Sequence, residues 1–330
     1  MLRSAAIFGV MLIASPLLAA DPTPASDLVA KSLKLLGDSA REYTKQRQCF
    51  SCHHQALPAM TLELAASRGY SIDTDSLQLQ AAHTHLHYSA RIADLQAGKG
   101  VPGGPYTAGY ALATFAAAKH GRDEVTDALV DYLFLTQQAD GHWRVDSNRP
   151  PLEESEVMGT AMSIRGLKTF AAGFRAGEVG ERVERAAAWL TKVEPKSTED
   201  AVFLVAGRSW AGTHQELLSS AREGLLKRQR EDGGWSQLPE MASDAYATGS
   251  ALVVLHQQGD LPTSDPAWQR GLAFLKKSQR EDGSWLVVSR SKPFQKYFES
   301  GFPHGKSQFI SIAASSWATQ ALLLETQLTK

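Results

Sequence analysis

A seven-residue motif recurs three times, each time closing an amphipathic stretch. It reads Gln137-Gln138-Ala139-Asp140-Gly141-His142-Trp143, Gln229-Arg230-Glu231-Asp232-Gly233-Gly234-Trp235 and Gln279-Arg280-Glu281-Asp282-Gly283-Ser284-Trp285. The tryptophans lie 92 and 50 residues apart, a spacing of two repeats and then one. A period of this size marks an array of supersecondary units, each burying its apolar face against the next.

Each unit has two halves. Before the motif comes a helix with one apolar stripe: Trp268, Leu272 and Leu275 share a face, as do Val183, Ala187 and Leu190. Asp-Gly then turns the chain. After it comes an alanine-rich stretch apolar on all sides, as in Met158 to Phe170, Ala245 to His256 and Ser311 to Leu324. A helix of that kind is buried all round. Outer helix, loop and inner helix therefore alternate through about six units, at 27–70, 75–121, 123–174, 180–213, 214–259 and 265–328. Six such hairpins in a ring make an all-α, double-layered (α/α)₆ toroid over residues 21–330.

The motif Gln-x-x-x-Gly-x-Trp at the end of an outer helix resembles the repeat of the squalene cyclase and prenyltransferase superfamily. That resemblance implies the α/α toroid fold and a central cavity for a lipid, isoprenoid or glycan. The superfamily's catalytic sets do not carry over. The segment nearest the Asp-x-Asp-Asp-Thr acid motif is Asp244-Ala245-Tyr246-Ala247-Thr248, in which Tyr246 stands at the proton donor's position. A phenol of ordinary pKa, about 10, does not protonate an unactivated alkene. The zinc ligands of the prenyltransferase type have no counterpart, because both cysteines lie elsewhere. Acids at inner-helix starts, Glu156, Glu199-Asp200 and Asp244, read as caps and first-turn charges.

Both cysteines lie in Cys49-Phe50-Ser51-Cys52-His53-His54. Cys-x-x-Cys-His is the attachment sequence of c-type haem: two thiols add to the vinyl groups, and His53 becomes the proximal iron ligand. The leading expectation is an exported c-type haem protein on a toroid scaffold, acting in electron transfer or ligand binding with a redox partner protein. The alternative is a non-haem toroid that binds a small hydrophobic ligand in its cavity. A disulfide, a thiol redox pair or a zinc site on the same residues stays open. Ring closure brings the long loop of unit six to this rim, so His304 is expected near His53 as distal ligand or donor. His54 and Met60 compete for that role. His83, His85 and His87 look like a metal tract early in the outer helix of unit two, away from the rim. Only His83 and His87 share a face.

Residues 1–20 carry Arg3, an apolar run and Ala19-Ala20, the pattern of a cleaved signal peptide. The expected location is periplasmic or secreted, without a membrane span. With 34 basic and 35 acidic residues, no nucleic-acid partner is expected.

Overall fold

The computed structural model describes residues 25–292 and 296–325. The signal peptide expected at residues 1–20 lies outside them. Among the described residues all regular structure is helical, in six hairpins. The outer helices are α1 (Ala25–Gln46), α3 (Thr74–Ser89), α6 (Glu124–Thr136), α8 (Ala176–Leu190), α10 (Gln215–Leu226) and α12 (Pro266–Ser278). The inner ones are α2 (Leu57–Ser67), α5 (Pro105–Ala117), α7 (Glu156–Phe170), α9 (Thr198–Ala211), α11 (Ala245–Gln257) and α13 (Gln308–Glu325). A short helix α4 (Ile92–Gln96) adds to unit two.

The inner helices pack in chain order, α2 on α5, α7, α9, α11 and α13, and α13 returns to α2. The ring is therefore closed, and the fold is an α/α toroid. Outer helices bury a single stripe, such as Val179, Val183, Ala186 and Leu190 on α8. Inner helices such as α5 and α11 are buried on nearly every side.

The recurrent motif is the joint of this architecture. Trp143, Trp235 and Trp285 are fully buried. Each indole Nε1 donates to a carbonyl of its own outer helix: Leu133 at 2.8 Å, Leu225 at 2.9 Å and Leu275 at 2.8 Å. Each tryptophan amide donates to a hydroxyl on the following inner helix, Thr160, Thr248 or Ser315. Each motif glutamine reaches the next outer helix. Gln137 Nε2 donates to Arg182 O, Gln229 to Ala267 O, and Gln279 to Leu28 O at 3.0 Å. The last bond joins unit six to unit one. Gly283 sits at φ +87°, and a Cβ there would lie 2.8 Å from the Lys31 backbone. Only glycine permits that approach between neighbouring outer helices.

Candidate functional site

The cysteine motif leads into the first inner helix. A π-helical turn at Cys52–Ala56 runs into α2, and the Ser51 hydroxyl caps it by accepting from His54 N. The two thiols are unpaired; Cys49 is exposed and Cys52 buried. Cys49 Sγ lies 3.4 Å from Tyr43 Oη on α1, and Cys52 Sγ lies 3.4 Å from Tyr106 Oη on α5. One thiol faces the outer layer and the other the barrel interior. Burial pushes the Cys52 thiol up to about 12, so it is held as the thiol. Burial holds His53 down to about 3 and His54 well below the usual imidazole value, so both imidazoles are neutral.

His53 Nδ1 faces Ser51 Oγ at 3.3 Å and also meets His54 Nδ1, which leaves His53 Nε2 as the donor atom for a metal. The donor set thus fits a haem or metal chemically: two unpaired thiols and an oriented imidazole. The ring faces are crowded. Phe309 packs on His53 at 5.2 Å and Tyr43 stacks on His54 at 4.7 Å between centroids.

Unit six does adjoin this motif, with ring contacts through Phe309 and Phe298. Phe298 packs on Tyr43 at 5.8 Å. His304 Nε2 pairs with Ser284 Oγ at 2.7 Å, inside the third copy of the repeat motif. The residue that does reach the cysteine motif is His83, whose Nε2 lies 3.2 Å from Cys49 O. It sits in the second half of α3, not early in it, and the C-terminal half of that helix approaches the motif rim. His85 turns away, to Asp123 Oδ2 at 2.9 Å.

Inside the barrel, Cys52 is the edge of a buried polar network. Tyr106 contacts Cys52 and Glu153. In the next units Tyr246 Oη donates to Glu199 Oε1 at 3.0 Å, while Glu199 Oε2 and Tyr110 Oη are buried without hydrogen-bond partners among the described residues. Ser155, Ser197 with Asp200, and Asp244 cap α7, α9 and α11 as their positions imply. Glu199 does not join that pattern. It is 5% exposed, its carboxyl turns inward, and burial pushes its pKa up to about 8 despite the bond from Tyr246. The sequence offered no cue for this, since first-turn glutamates ordinarily face solvent.

Over this network the rim loops join. Arg290 bonds Gln237 Oε1 at 2.8 Å and Glu154 at 2.9 Å, and Gln237 bonds Asp244 at 2.9 Å. Beneath it lies a central cavity of about 100 Å³ to which all six inner helices contribute. Its wall includes Met60, Met162, Phe203 and Trp317, with Tyr110 on the side of the network. Exposed Gln257 and half-buried Trp210 mark its mouth at the C-terminal ends of the inner helices. Arg165 is the one charged lining residue among the described residues. Its guanidinium touches Met60 Sδ at 3.9 Å and lies 5.4 Å from the Trp210 ring. These groups pack on the cation, and Glu63 acts on it electrostatically.

The architecture is shared with solved proteins. A type II terpene cyclase, MstE from Scytonema, superposes with a TM-score of 0.54 at 14% identity, covering 91% of this chain and 97% of that one. A variant of it, solved with geranylgeranyl dihydroxybenzoate, gives 0.52 at 15% identity over 91% and 97%. A possible GH105 member from Klebsiella pneumoniae gives 0.55 at 11% identity over 97% and 98%. The likeness is one of fold. In sequence, 71 residues are 39% identical to drimenyl diphosphate synthase of Streptantibioticus cattleyicolor, which is 22% of this chain and 12% of that relative's length. No family model matches the chain. Among the described residues no helix is long and apolar enough to cross a membrane.

Proposed function

We propose that this toroid binds an isoprenoid with an anionic head in its central cavity. The observation that carries the reading is the pairing of apolar walls with Arg165, the only charged lining residue among the described residues. The apolar chain gains by leaving water against Met60, Met162, Phe203 and Trp317. The two methionines adapt to its shape. The head finds in Arg165 a fork of donors suited to carboxylate or phosphate. Isoprenoid ligands of the structurally similar cyclase support this choice of class.

The cyclase reaction is not part of the proposal. A carboxyl raised to about 8, like Glu199, is too weak an acid to protonate an isolated alkene. As a neutral acid beyond Tyr110 it serves as a hydrogen-bond donor toward the deep end of the cavity.

Titration with dimethylallyl diphosphate, whose five-carbon chain suits a cavity of about 100 Å³, followed by tryptophan fluorescence, tests the reading, because Trp210 and Trp317 line the site. Saturable quenching is expected, with affinity at least about tenfold weaker in Arg165→Ala. Absence of quenching, or an unchanged Arg165→Ala, overturns it.

A second reading rests on the unpaired thiols of Cys49 and Cys52 beside an oriented His53. It makes them the covalent attachment points of a c-type haem, with His53 the proximal ligand, in a chain exported from the cytoplasm. The haem would supply redox or ligand-binding chemistry, and a redox partner protein would follow. His304 enters that reading on the distal side only after leaving Ser284. Intact mass and a pyridine haemochrome spectrum, on protein exported with its own first twenty residues, decide it. Haem that survives denaturation and is lost in Cys52→Ala supports it; the unmodified mass rejects it.

A further inference from the structure

On the outer wall, where α3 faces the connection from α5 to α6, three side chains converge that neither reading uses. His85 projects from the C-terminal half of α3. His120 follows the end of α5, and Asp123 is the cap residue of α6. His85 Nε2 and His120 Nε2 each lie 2.9 Å from the same oxygen, Asp123 Oδ2. One ligand atom from each residue falls within 4.8 Å of the other two. Around a tetrahedral ion with bonds of about 2.0–2.1 Å, ligand atoms stand about 3.3 Å apart. Small shifts therefore place an ion between these groups.

The surroundings hold the three residues in position. Asp123 Oδ1 accepts from Val125 N and Thr126 N, which fixes the carboxylate and leaves Oδ2 for the imidazoles. Both rings pack on Phe115, His120 at 4.8 Å and His85 at 6.4 Å. Gln78 Nε2 donates to Ala118 O at 3.0 Å, tying α3 to the loop that bears His120. Lys119 adopts φ 54°, a left-handed conformation uncommon outside glycine, and this turns His120 back over Phe115. The adjacent cation, Arg122, is drawn off by Asp127 at 2.6 Å and by the Phe174 ring at 3.6 Å. The three ligand side chains are 36%, 31% and 29% exposed, so an ion has a path in and solvent can complete its shell.

We propose that His85, His120 and Asp123 form a binding site for a divalent transition metal of the zinc type. Two imidazoles and one carboxylate suit that class and leave a fourth position for water. The site clamps units two and three together on the outer layer.

The probe is Zn²⁺, added to the full chain with Cys49 and Cys52 both changed to Ser so that the thiols do not compete. Calorimetry is expected to give one equivalent bound. His85→Ala and His120→Ala each lose at least about tenfold in affinity. Thermal unfolding shifts upward with Zn²⁺ in the parent and not in His120→Ala. Co²⁺ added to the unaltered chain gives a check that needs no variant to fold. Visible d–d bands without a thiolate-to-cobalt charge-transfer band support the site. No binding to the Ser variant, binding untouched by both His→Ala changes, or only a thiolate spectrum with Co²⁺ overturns it.

Discussion

Tyr246 donates its hydroxyl hydrogen to Glu199 Oε1 at 3.0 Å, joining two adjacent repeats inside the barrel. Tyr246 lies in the segment that resembles the acid motif, and the buried carboxyl it meets is Glu199 of the preceding unit. The carboxyl there is neutral at ordinary pH because burial raises it to about 8. The network stores a proton and does not expel one.

The contribution of Glu199 to folding stability is expected to fall as pH rises from about 5 to 8. Below the unfolded pKa of about 4.3 Glu199 is protonated in both states. Between that value and about 8 the native state holds a proton that the unfolded chain has released, so raising pH favours unfolding. The slope from this one group is about 1.4 kcal/mol per pH unit. Glu199→Gln removes it. Urea unfolding of both proteins at several pH values checks the prediction: their difference tracks pH if Glu199 titrates as described and stays constant if it does not.

Ring closure depends on Gln279, whose amide joins Leu28 O and Gly283 O. Gln279→Ala leaves two carbonyls short of a partner at the junction of first and last units. A loss of about 1–3 kcal/mol is expected. Hydrogen exchange on α1 should rise more than on α8, which lies across the ring. Uniform loosening would contradict the closure role.

Thiol labelling separates the possible states of the cysteine motif. Exposed Cys49 is expected to react with iodoacetamide quickly and Cys52 only on unfolding, because it is 1% exposed against Tyr106. One fast equivalent by mass spectrometry is the expected result for free thiols. Protection of both thiols would instead signal covalent haem, a disulfide or bound metal.

Thr248 matches the threonine of the acid motif but is used in packing. Its Oγ1 accepts from Trp235 N at 2.9 Å. Thr248→Val keeps the shape and orphans that buried amide, so a stability loss of about 1–3 kcal/mol is expected. Binding of dimethylallyl diphosphate should be unchanged. A variant of wild-type stability with lost binding would return Thr248 to the site.

The toroid was legible because its causes are local and repeated. Helical periodicity, Asp-Gly stops and Gln-x-x-x-Gly-x-Trp each report the same joint, and every copy adds to the signal. The cap Asp244 was legible for the same reason, since a cap acts on an amide only a few residues away. The motif Cys49-x-x-Cys52-His53 also announced itself, being contiguous.

What tertiary structure alone decided is which distant side chains meet. Closing the ring turned Glu199 inward to Tyr246, 47 residues on, and gave Arg165 to the cavity. It set His83 on the Cys49 carbonyl and His304 on Ser284. It joined His85 to His120 and Asp123, 38 residues from Asp123 in sequence yet sharing one oxygen. Residue type and spacing determine what a helix does with its own neighbours. The environment of a buried charge is set by other helices, and no local pattern encodes it.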